Sequence, residues 1–156
     1  WIYPGLQMLA DNAPVRSGFG RAGGTKGKGG HVRQPIVYVD TSAIREGKVD
    51  ELKVAMDHLA AFVEENMPRL ISYGFFLDED ETQMTVVAVH PDSASLEFHM
   101  DRGAEEFAKF ADLIDLLRIE VYGRVSDGVL ERLHQKAQKL GSGTVAVHEF
   151  QAGFAR

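Results

Sequence analysis

The residues Ile36-Val37-Tyr38-Val39, a β-branched and aromatic run entered from Pro35, predict a first strand that ends near Ser42. Between residues 48 and 67 the apolar period changes. Val49, Leu52, Met56, Leu59, Ala60, Phe62 and Val63 recur at close to helical spacing, and Pro68 stops the run, so one face of an amphipathic helix must be buried. Residues 70–77 and 83–90 then read as two strands of a hairpin, separated by the solvated acidic turn Asp78-Glu79-Asp80-Glu81.

After His90-Pro91-Asp92, residues 93–100 read as a short helix whose first N–H groups Asp92 or Ser93 can cap, with Gly103 interrupting it. A further helix is predicted over 104–117, with Phe107, Phe110, Ala111, Ile114 and Leu117 on one stripe, followed by a strand over 119–125. The order βαββαβ predicts an α+β, ferredoxin-like arrangement: an antiparallel four-stranded sheet with helices on one face. A helix over 127–140 and a strand over 143–150, joined by Gly141-Ser142-Gly143, exceed that unit. A sheet with its second face uncovered calls for a partner, which predicts a homodimer.

Composition narrows the class. With 156 residues, 44% hydrophobic and 26% charged, the chain suits one globular core, and without cysteine it has no disulfide, thiolate nucleophile or thiolate metal site. No apolar run reaches the roughly 18 to 20 residues of a membrane span and no secretory pattern opens the chain, so a cytoplasmic protein is expected. The net charge of −6 is uneven: Arg16, Arg21, Lys26, Lys28 and Arg33 face only Asp11 in the first 34 residues. The remainder is acidic and repels phosphate backbones, which argues against nucleic acid as a partner.

Residues 17–30, SGFGRAGGTKGKGG, are half glycine and predict a flexible basic tail over 1–34, with the domain occupying 35–156. Gly18, Gly20 and Gly23 satisfy G-x-G-x-x-G, but no strand precedes them and no helix follows, so no dinucleotide site is expected. The chain starts at Trp1, as a fragment, a processed product, an expressed piece or an upstream-extended reading frame would. Lys28-Gly29-Gly30, encodable by a purine run resembling a ribosome-binding site just before Val32, favours the last.

Residues 70–110, LISYGFFLDEDETQMTVVAVHPDSASLEFHMDRGAEEFAKF, resemble the best-known part of the antibiotic-biosynthesis-monooxygenase family. An aromatic strand with Tyr73 and Phe75 leads to an acidic turn, a second strand, the helix start Asp92-Ser93-Ala94, then His99 and, eight residues on, Phe107. With the preceding strand and helix the resemblance spans about residues 35–125 and implies a dimeric α+β barrel. Many members carry a tryptophan where this chain has His90, and haem-degrading relatives need an asparagine, a tryptophan and a histidine at places that fall at Asp40, His99 and Lys109. Aspartate and lysine cannot replace an amide donor and an imidazole ligand, so haem degradation is not expected.

The resemblance implies a cavity between sheet and helices, into which the family histidine matching His99 faces. His99 is the first candidate for a catalytic base near neutral pH, with Tyr73 beside it. His90, Phe75, Tyr122, His148 and Asp40 are candidate substrate contacts, the aromatic ones suited to a small flat aromatic molecule. His90, His99 and His148 lack short ligand spacing, so only tertiary proximity could assemble a metal site and none is predicted. The implied activity is a cofactor-independent monooxygenase acting on a phenol or quinol with dioxygen. The alternative is a small-molecule-binding or assembly module of the same fold whose cavity is filled by side chains.

Overall fold

The computed structural model describes residues 34–154, and the expected 1–34 tail lies outside the described residues save Gln34. The elements run β1 (Ile36–Ile44), α1 (Val49–Asn66), β2 (Ser72–Leu77), β3 (Gln83–His90), α2 (Ser93–Ala108), β4 (Ile114–Tyr122), α3 (Asp127–Leu140) and β5 (Gly141–His148). They build one sheet in the order β2-β3-β1-β4-β5. β1 pairs antiparallel with β3 and β4, and β2 with β3, which is the expected ferredoxin-like sheet, whereas β5 adds parallel to β4 and makes the sheet mixed.

Alternation sorts the two faces. Ile36, Tyr38 and Asp40 of β1, Met84, Val86, Ala88 and His90 of β3, and Ile119 and Val121 of β4 are buried beneath the helices. Leu52, Met56, Leu59 and Val63 of α1, Leu96, His99, Met100 and Phe107 of α2, and Val129, Leu133, Ala137 and Leu140 of α3 close the core from above. The intervening strand residues, Val37, Val39, Thr85, Val87 and Val89, are only half-buried, so the opposite sheet face carries no helical layer.

Three expectations need correction. Gly103 does not interrupt a helix: α2 runs unbroken from Ser93 to Ala108, because a Cβ at residue 103 would sit 2.3 Å from Phe107 Cζ and the glycine makes room for that ring. The helix expected over 104–117 ends at Ala108, and Ile114 and Leu117 of its stripe belong to β4, where Ile114 and Leu116 are buried and Leu117, at the bulge, is exposed. Gly141 and Gly143 open β5 instead of linking α3 to it. A Cβ on Gly141 would stand 2.6 Å from Leu116 N, so glycine lets the new strand close on β4.

Candidate active site

Strand pairing sets the site in rows across the covered face. Ile36 lies opposite His90; Tyr38 lies opposite Ala88, which lies opposite Tyr73; Asp40 lies opposite Val86, which lies opposite Phe75. α2 is fastened above the first row by Asp92, whose side chain accepts from Ser95 N at 2.9 Å, and this cap lays His99 over His90. The two imidazole centroids are 5.2 Å apart. His99 also touches Tyr73 at 5.6 Å and Phe107 at 5.1 Å between ring centroids, and its Nδ1 lies 2.8 Å from Met67 Sδ.

Both histidines are starved of water. Burial pushes His90 down to about 4, and burial first, then the neighbouring His90 and Lys136, holds His99 well below its usual value, so both rings are neutral at pH 7. A thioether only accepts, so the contact with Met67 puts the His99 proton on Nδ1 and the lone pair on Nε2. His90 Nδ1 meets Ser95 Oγ at 3.2 Å, while its buried Nε2 has no partner among the described residues. Both rings line a cavity of about 260 Å³ walled by Met67, Pro68, Leu70, Ala94 and Phe98, with Arg69 at its side.

A second cluster lies deeper along β1. Tyr38 Oη donates to Asp40 Oδ2 at 2.6 Å, and Lys136 Nζ donates to the same oxygen at 2.7 Å and to Tyr38 Oη at 2.8 Å. Lys136 stands over the Phe107 ring at 4.7 Å, and Asp40 Oδ1 is left without a partner among the described residues. Burial and then Asp40 raise both Tyr38 and Tyr73, which stay protonated phenols throughout the physiological range.

The sequence candidates therefore fall in four places. His90 and His99 share the 260 Å³ cavity. Tyr73 touches His99 and borders a cavity of about 450 Å³ beside the end of α1, with Met67 and Pro68 common to both cavities. Phe75 and Asp40 adjoin only about 20 Å³ of space, room for one water, because Phe75 stacks on Phe110 with centroids 6.1 Å apart and Lys136 fills the space beside Asp40. Tyr122 and His148 stack on one another at 4.6 Å on the uncovered face, since Tyr122 pairs with Val37 and not with the buried row.

Met67, Tyr38 and Lys136 were not singled out by sequence. Lys136 had a signal: it lies seven residues after Val129, three after Leu133 and four before Leu140, a cation on the apolar stripe of α3. Among the described residues no three His, Cys, Asp or Glu side chains converge on a metal position, and no helix is long and apolar enough to cross a membrane.

No family model matches the chain, and no curated protein is a significant match. Solved structures do match. MupZ from Pseudomonas fluorescens superposes with a TM-score of 0.58 at 22% identity, over 79% of this chain and 95% of its own. Protein SO0527 from Shewanella oneidensis gives 0.51 at 24%, over 59% of this chain and 92% of its own. The chain has their fold. A conserved protein of unknown function from Bacteroides thetaiotaomicron, described as a possible oxidoreductase, gives 0.51 at 14%, over 57% and 96%. This shared α+β architecture, with its ferredoxin-like sheet, agrees with the fold class expected from the sequence. The MupZ match is longer than β1–β4 and so must take in chain outside that unit.

Proposed function

We propose that the protein is an oxidoreductase, a cofactor-independent monooxygenase that binds a small phenol- or quinol-like molecule in the cavity beside His90 and His99. One observation carries this reading: a neutral imidazole, His99, stands at the wall of a 260 Å³ cavity whose other walls are largely apolar. An aromatic ring fits such walls, and the His99 Nε2 lone pair can take a proton from a carbon made acidic by an adjoining phenol or carbonyl. The resulting carbanion supplies electrons to dioxygen. A C–O bond forms, the peroxide O–O bond breaks with loss of water, and a CH₂ group plus O₂ becomes C=O plus H₂O, with no outside reductant. Tyr73, held as a phenol, serves as a hydrogen-bond donor and not as a second base.

The uncovered sheet face supports a homodimer, with Val37, Val39, Val87, Phe76 and Leu117 as the contact surface. A second reading, a non-catalytic binding or assembly module, is favoured by the filled interior around Phe75 and Asp40. Oxygen uptake over a panel of quinols and polyphenols decides between them, comparing wild type with His99→Ala, each with added chelator. Chelator-resistant uptake that the substitution abolishes is expected; no uptake on any substrate overturns the monooxygenase in favour of the module.

A further inference from the structure

Met67 at the end of α1, His90 at the end of β3 and His99 within α2 are brought to one cavity by three separate elements. Their donor atoms form a soft, uncharged set: a thioether sulfur and two imidazole nitrogens. We propose that this cavity binds one Cu(I) ion through Met67 Sδ, His90 Nε2 and His99 Nδ1.

The geometry suits a shared metal. With metal–nitrogen bonds of about 2.0 Å, two imidazoles on one ion place their ring centroids about 5.0 to 5.5 Å apart at angles between tetrahedral and trigonal; the observed separation is 5.2 Å. His99 Nδ1 and Met67 Sδ already touch at 2.8 Å, and the unbranched methionine side chain has the rotatable bonds to back off and admit the ion. His90 Nε2, buried and without a partner among the described residues, supplies the third ligand, while Ser95 Oγ on Nδ1 fixes the ring.

Chemistry selects the ion. No carboxylate lines this cavity, and its one charged wall residue, Arg69, is paired with Asp92, so the three ligands bring no charge of their own to offset the double charge of zinc, iron(II) or manganese. Thioether and imidazole ligands in apolar surroundings favour monovalent copper. Because both rings are neutral at pH 7, copper need displace no imidazolium proton. Binding at Nδ1 forces the His99 proton onto Nε2, the nitrogen whose lone pair the proposed reaction uses. Copper occupancy and proton abstraction therefore exclude each other, which makes the ion an inhibitor of that chemistry; this consequence rests on the proposed function, and the site itself does not.

The test is anaerobic titration of the full chain with Cu(I) presented as its bicinchoninate complex, read by bleaching of the dye. Wild type is expected to withdraw one equivalent, with affinity falling by at least about tenfold in Met67→Leu and in His90→Ala, and staying unchanged in a His58→Ala/His134→Ala variant. Met67→Leu keeps the side-chain volume, so its result stands even if His90→Ala fails to fold. No withdrawal by wild type, or equal affinity in wild type and Met67→Leu, overturns the site. Copper withdrawal without oxygen uptake on any substrate defeats the substrate reading alone, and uptake without withdrawal defeats this inference alone.

Discussion

Lys136 Nζ lies 2.7 Å from Asp40 Oδ2, a pair that joins α3 to β1 through the protein interior. Its side chains are only 12% and 3% exposed, so each charge depends on the other for its solvation. Lys136→Met leaves Asp40 buried with only the Tyr38 hydroxyl for a partner and is expected to cost about 3 to 5 kcal/mol of stability. The double variant Asp40→Asn/Lys136→Met removes both charges and is expected to regain most of that loss. Urea denaturation of wild type and these two variants measures both figures, and a Lys136→Met cost below about 1 kcal/mol would show that the pair does not hold α3 in place.

Gly103 offers a test by sign. Helix propensity alone makes Gly→Ala in a helix stabilising by about 1 kcal/mol. Here the new methyl group meets Phe107, whose ring atoms lie 2.3 to 2.8 Å from the Cβ position. Gly103→Ala is therefore expected to destabilise by about 1 to 3 kcal/mol, with partial recovery in Gly103→Ala/Phe107→Leu. A thermal midpoint raised by Gly103→Ala would show that Phe107 moves aside freely.

The same two residues show where sequence reading stops. Sequence reading located β1, α1, β2 and β3 and placed α3 over its observed residues, but it divided α2 in two and began β4 at residue 119 where the strand starts at Ile114. It read Gly103 as a break because a glycine's local preference is visible in a sequence while the ring packed on it is not. Residues 109–117 went astray because Phe110, Ile114 and Leu117 keep helical spacing even though Ile114 and Leu116 alternate as a strand. For the site, His90, His99 and Tyr73 were legible as residue types in the right elements. The face on which Tyr122 and His148 sit was not, because strand register fixes it and a shift of one residue reverses it. Lys136 and Met67 enter through tertiary packing, although the position of Lys136 on an apolar stripe was a visible anomaly.

The proposed homodimer predicts that a charge in the middle of the uncovered face separates the subunits. Val87 pairs with Val39 on one side and with Gly74 on the other, which places it at an interior position of that face. In light scattering during gel filtration, wild type is expected at twice the chain mass and Val87→Arg at one chain mass with an unchanged circular dichroism spectrum. A wild-type monomer at tens of micromolar would remove the dimer.

The buried histidines make stability depend on pH in a direction that follows from their burial. An unfolded histidine titrates near 6.5, whereas His90 in the folded chain is pushed down to about 4 and His99 is also held well below its usual value. Below pH 6.5 the unfolded chain therefore binds protons that the folded chain refuses, and stability falls as the solution becomes more acidic; above 6.5 both states are neutral and this contribution is flat. Between pH 7 and pH 5, a window above the ordinary range of carboxylates, His90 alone is expected to cost about 2 kcal/mol. Replacing it by glutamine, which cannot titrate, should remove that share of the slope while leaving the share of His99. Urea midpoints at pH 7, 6 and 5 for wild type and His90→Gln make the comparison, and parallel slopes would mean that His90 takes up its proton in the folded chain as readily as in the unfolded one.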